Sequence, residues 1–473
     1  MQTPITFGTS GWRGILGEDF TFDNVRAVIQ AIAEHLHQEQ LADQGVIVGY
    51  DPRFLGERFA AEAACVLAGN RVPVQLCTRD VPTPTIAYAI LGRRLAGGVN
   101  ITASHNSHEY NGLKFSPAWG GPALPETTRR IEERANQLRG RGSIKSIPLE
   151  RARQQGLLHE TDPCEDYLAG LEKLLDLEPM GRAGLRVVVD PVYGAGRGYV
   201  DTFLRRAGCQ VTTLHTERDP YFGGQRPEPA EDVLQALSAT VVREGAALGV
   251  ATDGDADRFG IIDADGTFMQ PNHVLALLLD YLIDTRGWSG GVARSVATTH
   301  LLDAVARKHG REVYETPVGF KFIGDLLHRG KIVLGGEESA GLSIQGHVPE
   351  KDGILACVLV AEMVARRGQT LRQMLDHLFH EVGPVYPRRD NFALTPALKA
   401  RLIQRLESPP ATLAGSPIRQ VQRVDGAKFL LADGRWALIR LSGTEPVVRC
   451  YGEAASPEAL DQLLRAVHAL IFA

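Results

Sequence analysis

Val25, Val28, Ile29, Ile32 and Leu36 fall at i, i+3, i+4, i+7 and i+11 within residues 19–40, the stripe of an amphipathic helix laid against a core. Further along, short Val/Ile/Ala-rich runs end in small or polar residues: GVIVGYDPR (45–53), AGGVNITASHN (96–106), GLRVVVDPVYGAG (184–196), ALGVATDGDADR (247–258), GVARSVATT (291–299) and KIVLGGEES (331–339). Each reads as a buried strand. Helical patterns at 233–244 and 301–308 lie between them, and the alternation predicts α/β domains.

Taken in pairs, these strands start 51, 63 and 40 residues apart, which suggests three similar α/β units. The second strand of each pair runs into a polar loop: TASHN, DGDADR, then GEES. Ligands of open α/β sheets bind beyond the carboxyl ends of strands, so three such loops can converge on one cleft. Two breaks interrupt the pattern, a Gly- and Arg-rich connector at 139–148 and a segment with two prolines at 382–390. Beyond the second, 428–453 reads as adjacent strands with an Asp433-Gly434 turn. A helix follows through Leu460, Leu463, Leu464, Val467 and Leu470, so a smaller α+β domain is expected.

Composition adds bounds. At about 100 to 200 residues per domain, 473 residues require several domains. With 44% hydrophobic and 23% charged residues, disordered, collagen-like and coiled-coil readings fail. Fifty-one Lys plus Arg against 56 Asp plus Glu give a net charge of −5. That balance argues against nucleic acid or an anionic membrane as partner, so any anion site must be local. The longest apolar runs, near 273–283 and 353–365, are broken by Asp280 and Glu362 and fall short of the ~20 residues a bilayer requires. With no basic-then-apolar leader, a cytoplasmic location is expected. The six cysteines are scattered without a CxxC pair, which predicts reduced, buried thiols.

Asp253, Asp255 and Asp257 alternate in DGDADR, and carboxylates this close repel unless a cation sits among them. An EF-hand fails, because Arg258 stands where its loop needs glycine and Ala264 where it needs glutamate. Few protein oxygens favour Mg²⁺ over Ca²⁺; the alternative is a solvated acidic turn. Ser104 follows a strand directly, with His105 and Lys114 near in sequence to assist a weak nucleophile; the alternative is a turn serine capping a helix. It is not in a GxSxG elbow, which counts against a Ser-His-Asp hydrolase. Arg440, Ser442, Gly443, Thr444 and Arg449 combine guanidiniums, hydroxyls and glycine N–H groups, the donors a dianionic phosphate requires; the alternative is a tight turn with exposed arginines. Glu337 and Ser339 can accept from and donate to sugar hydroxyls, or else cap a helix. Arg13 lies in FGTSGWRG and Lys321 in TPVGFKFI. Of nine lysines, Lys114, Lys321 and Lys351 fall in or near these loops, which favours an anionic ligand.

In this order, FGTSGWRG, TASHN with NGLKF, DGDADR, TPVGFK, GEES and RLSGTEP resemble the α-D-phosphohexomutase superfamily, the phosphoglucomutases and phosphomannomutases, over almost the whole chain. The resemblance implies three topologically related α/β domains and a smaller α+β C-terminal domain around a central cleft. The expected units are 1–148 with the phosphoserine loop, 149–258 with the metal loop, 259–382 with the sugar loop and 383–473 with the phosphate loop. It further implies that Ser104 carries a phosphoryl group and joins Asp253, Asp255 and Asp257 around Mg²⁺. Arg13 and Arg258 would spread the charge in transfer, and Lys114 and His105 would handle the hydroxyl proton. Arg440, Ser442, Gly443, Thr444 and Arg449 would hold the non-reacting phosphate, while Lys321, Glu337 and Ser339 contact the sugar phosphate.

The chain departs from the family pattern twice. Ser107 stands where proline commonly follows TASHN, and Ala340-Gly341 replaces the Gly-His of GExSGH loops. The second change tilts the expected substrate towards glucose 1-phosphate and glucose 6-phosphate, with glucose 1,6-bisphosphate as intermediate and activator. Mannose or glucosamine phosphates are alternatives. A Mg²⁺-dependent sugar phosphatase and a silent sugar-phosphate binding protein are the rival classes; the remote phosphate clamp counts against the first, and the retained Ser104 and aspartates against the second. Small-molecule hexose phosphates are the expected partners, and a monomer or dimer the expected state.

Overall fold

The computed structural model describes residues 3–140, 143–442 and 446–472. The first amphipathic stripe forms helix Phe22–Gln38, capped by the Thr21 side chain, which accepts from Asn24 N–H. The six expected strands form as Val46–Tyr50, Gly97–Ile101, Arg186–Asp190, Leu248–Thr252, Gly291–Ser295 and Ile332–Glu337. Each pair is hydrogen-bonded in parallel within its own sheet. Its second member then turns back into an antiparallel strand: Tyr110–Pro117, Phe259–Asp263 and Gly341–Ile344 respectively. The three polar loops are the connections of these hairpins. No helix follows Ser104 or Ser339, which removes the helix-cap readings of both loops.

The three sheets have seven, five and four strands, and a six-stranded antiparallel sheet follows them. That last sheet includes Tyr386–Ala393, Ala427–Leu431, Trp436–Leu441 and Val447–Ala454, with helix Pro457–Phe472 packed on it. Three α/β units and an α+β unit are thus present.

Two expected boundaries fall too early. Strand Leu158–Thr161 pairs in parallel with Val74–Cys77, so the first sheet continues past residue 148. The connector before it is anchored by Ile144 and Ile147, which pack on the first core, and by Lys145 N–H on the Gln30 side chain. Likewise Phe259–Asp263 and Phe268–Met269 complete the second sheet beyond residue 258. In both cases a hydrophobic strand edge is covered by the next piece of chain, which a motif-based division does not register.

The second and third units share one core. Helix Gly353–Arg367 is apolar around most of its circumference and packs on Leu248–Thr252 and Phe259–Asp263 of one sheet and Gly341–Ile344 of the other. Its buried Glu362 is satisfied by Arg286, by Tyr281 and by Asp176 N–H. The fourth unit docks on the third through Trp436, Leu438 and Tyr451 against Val296 and Ala297. Polar partners join this seam: Lys428 Nζ donates to Glu315 at 2.7 Å and His300 N–H to Glu453 at 3.1 Å, while the His300 ring stacks on Trp436. Among the described residues, no helix is long and apolar enough to cross a membrane.

Candidate active site

Each of the three hairpin loops carries one non-glycine residue in the left-handed region: Ser104 at φ 51°, Ala256 at 56° and Ala340 at 68°. Left-handed backbone is costly for a residue with a Cβ, and such residues cluster where function fixes the chain. The first two loops meet. Ser104, only 1% exposed, donates from Oγ to Asp253 Oδ2 at 2.9 Å. Its N–H is held by Thr102 Oγ1 at 2.8 Å.

Asp253, Asp255 and Asp257 are all buried, and one ligand atom from each lies within 4.8 Å of the others. Lys114 Nζ donates to Asp255 at 2.6 Å and to Asp257 at 2.7 Å, and Lys351 Nζ to Asp257 at 2.7 Å. The Thr83 hydroxyl also donates to Asp255. The second oxygens, Asp255 Oδ1 and Asp257 Oδ1, are buried without a partner. Buried carboxylate oxygens without donors are costly, and an all-oxygen set suits a hard divalent cation. The triad therefore fits a metal ion.

Burial, then Asp257 and Asp255, push Asp253 well above the usual carboxylate range. Burial acts on Asp257 too, but Lys114, Lys351 and Arg258 outweigh it and hold that carboxyl well below its ordinary value. Against its own desolvation, Lys114 is raised by Asp255 and Asp257. This ammonium is thus a fixed charge, and it makes no hydrogen bond to Ser104. His105 also makes no hydrogen bond to Ser104; its Nε2 lies 3.4 Å from Arg13 and its Nδ1 3.9 Å from Glu228. Burial, then Arg258 and Arg13, push its pKa well down, so the imidazole is neutral near pH 7.

A cavity of about 790 Å³ opens beside these loops, and all four units line it. Arg13 and His105 come from the first, Arg258 from the second, Lys321, Glu337, Ser339 and Lys351 from the third, and Arg440 and Arg449 from the fourth. Glu337 accepts from Gly319 N–H at 2.8 Å; burial, then Glu338, push its carboxyl up to about 7. Burial lowers the Lys321 pKa. Arg440 and Arg449 are direct neighbours on paired strands, and Arg440 Nε donates to Asp425 at 2.9 Å. Asp425 also accepts from Val318 N–H, which ties the fourth unit's arginine to the third unit. Ser442 N–H donates to Val447. Gly443 and Thr444, expected in this phosphate loop, lie outside the described residues.

Sequence models of the phosphoglucomutase/phosphomannomutase domains match this chain in order: alpha/beta/alpha domain I at 4–141, II at 165–266, III at 270–382 and the C-terminal domain at 402–470. The chain belongs to the phosphoglucomutase/phosphomannomutase family. It is accordingly an enzyme, an isomerase of the intramolecular phosphotransferase class. A Komagataeibacter xylinus phosphoglucomutase is 32% identical over 95% of this chain and 87% of its own length. A Methanothermobacter thermautotrophicus relative named "Probable phosphoglucosamine mutase" is 33% identical over 97% of this chain and 95% of its own. A crystal structure described as "putative phosphomannomutase from Thermus Thermophilus" superposes with a TM-score of 0.86 at 34% identity, covering all of both chains.

Within this family fold, several residues at the site escaped sequence reasoning. Thr83 opens helix Thr83–Arg93 and reaches Asp255 across the interface of two units. Arg53 and Asp51, just past strand Val46–Tyr50, lie against the Ser104 loop. Glu350 is buried beside Lys351, 3.7 Å away. Lys351 had been flagged by its position near a loop, but nothing local pairs it with Asp257.

Proposed function

We propose that the protein interconverts glucose 1-phosphate and glucose 6-phosphate through a phosphorylated Ser104 and a glucose 1,6-bisphosphate that reorients in the cleft. The observation that carries this reading is Ser104 Oγ at 2.9 Å from Asp253, with their neighbours His105 and Arg258 lining a cavity to which the fourth unit contributes Arg440 and Arg449. A hydrolase needs no second phosphate site; a mutase must hold one phosphate while the other reacts.

Phospho-Ser104 gives its phosphoryl to the free hydroxyl of the hexose monophosphate. After reorientation, Ser104 Oγ takes back the other phosphoryl, which frees the second hydroxyl. Asp253, Asp255, Asp257 and Ser104 would hold Mg²⁺, which when bound supplies positive charge beside the transferring group. Arg13 and Arg258 add cationic charge at the same end of the cavity, where transfer spreads negative charge over oxygens. Lys114 and His105, which flank the Ser104 loop, are the candidates for handling the hydroxyl proton. Arg440, Ser442, Gly443, Thr444 and Arg449 would grip the phosphate that is not reacting, with Lys321 beside it. Glu337 and Ser339 would hold sugar hydroxyls in either orientation. The GEESAG loop supports glucose; relatives of near-equal identity bear names for glucosamine and mannose, so those sugars are the competing substrates.

Incubation with glucose 1-phosphate, Mg²⁺ and a trace of glucose 1,6-bisphosphate tests the reading. Glucose 6-phosphate should accumulate without matching free phosphate. Release of free phosphate alone would sink it, and a higher kcat/KM with mannose or glucosamine 1-phosphate would reassign the sugar.

A further inference from the structure

The guanidinium of Arg53, fully buried, spends all five of its N–H donors. Nε donates to Asp51 Oδ2 at 3.0 Å. NH1 donates to the carbonyls of Ser107 and Tyr110 at 2.7 and 2.9 Å, and NH2 to those of Ser104 and Asn106 at 2.7 and 2.5 Å. Four carbonyls of one hairpin loop, 104–110, are thus folded around a single cation. The Phe222 ring, from the second unit and itself fully buried, covers the guanidinium 5.0 Å away.

The same pair holds the other side of Ser104. Asp51 Oδ2 accepts from Thr102 Oγ1 at 2.6 Å, and that oxygen accepts the Ser104 N–H at 2.8 Å. The serine's N–H and carbonyl are therefore both fixed by one buried Asp–Arg unit. The serine between them sits at φ 51°, a conformation that is costly for a residue with a Cβ.

We propose that Arg53 and Asp51 are positioning residues: they hold Ser104 in its left-handed conformation and so aim Oγ at Asp253. This rests on Ser104 being the phosphate carrier. With all five donors spent on Asp51 and the loop carbonyls, Arg53 has none left for a substrate and acts through the loop. Its planar fork is what the four carbonyls require. A lysine, with three donors on one nitrogen, leaves buried carbonyls unsatisfied and lets the loop relax.

The test compares R53K, T102V and S104A by steady-state kinetics with glucose 1-phosphate and by amide hydrogen exchange over 104–110. R53K should lower kcat about a hundredfold, the loss expected from a reacting group displaced by roughly 1 Å, with KM within about twofold. Exchange over 104–110 should accelerate while the other three units keep their protection. T102V removes only the Thr102 bridge and gives the same split to a smaller degree, so it decides the matter should R53K fold poorly. In R53A, guanidinium ion should restore turnover saturably and ammonium should not. A folded R53K with kcat within threefold of the parent, or one whose loss is all in KM, overturns the proposal. S104A separates the two claims: full turnover in S104A defeats the phosphoserine reading, whereas an inactive S104A beside a fully active R53K defeats only the positioning role.

Discussion

Ser104 Oγ and Asp253 Oδ2 are 2.9 Å apart although 149 residues separate them in the chain. They meet because each sits in the turn of a hairpin at the carboxyl end of a parallel strand, in two sheets that abut. The nucleophile and the triad thus form one site only when both units are folded and docked. Asp253→Asn should therefore weaken Mg²⁺ by at least the roughly 10- to 100-fold lost when only a ligand's outer-shell partner is changed. Binding of Mn²⁺ followed by electron paramagnetic resonance measures this independently of turnover; unchanged affinity would remove Asp253 from the metal set.

Glu337 supplies a pH signature. Its carboxyl is raised from an ordinary 4.5 to about 7 by burial and by Glu338. Between those values the folded protein binds a proton that the unfolded chain has released, so this group's contribution to stability falls as pH rises through the window. The ionised form accepts sugar hydroxyls, so kcat/KM should rise as pH passes about 7. Glu337→Gln should lower kcat/KM and flatten both profiles. A limb near pH 7 that persists in Glu337→Gln belongs to another group.

The clamp residue Arg440 is held by Asp425 and lines the cavity beside Arg449. A charge-assisted hydrogen bond contributes roughly 1.5–3 kcal/mol, so Arg440→Met should raise KM for hexose phosphates about 10- to 100-fold with a smaller change in kcat. Loss of kcat at constant KM would place Arg440 at the transferring phosphoryl instead.

Ala256 carries a Cβ at φ 56°, where glycine is at ease. Its Cβ is also fully buried in the core. Relief of roughly 1–2 kcal/mol of backbone strain is therefore offset by about 0.8 kcal/mol of lost burial and by the greater freedom of glycine in the unfolded chain. Ala256→Gly should leave the calorimetric melting temperature nearly unchanged. A clearly lower one would mean that packing of the Cβ in the metal loop outweighs the strain.

Much of this arrangement was legible from local pattern. Alternating aspartates repel one another and so point to a cation, and Val/Ile runs ending in polar loops mark strand ends. The order of six motifs implies four units, though not where each of them ends. The partners were not legible. Arg53 follows a strand in YDPR, which nothing local marks as the template of a loop 50 residues on. Lys114 stands near Ser104 in sequence, but its contacts with Asp255 and Asp257, to which the pleat of strand Tyr110–Pro117 delivers its ammonium, depend on the docking of two units. Sheet completion by Leu158–Thr161 and the helix Gly353–Arg367 shared by two sheets likewise depend on docking.

The central claim is that Ser104 carries the phosphoryl group between the two ends of the sugar. Brief incubation with glucose 1,6-bisphosphate labelled with ³²P, followed by digestion and peptide mapping, measures it directly. The label should appear on Ser104, be absent from Ser104→Ala, and pass to glucose bisphosphate when unlabelled glucose 1-phosphate is added. Label on another residue, or label on Ser104 that leaves only as free phosphate, would contradict it.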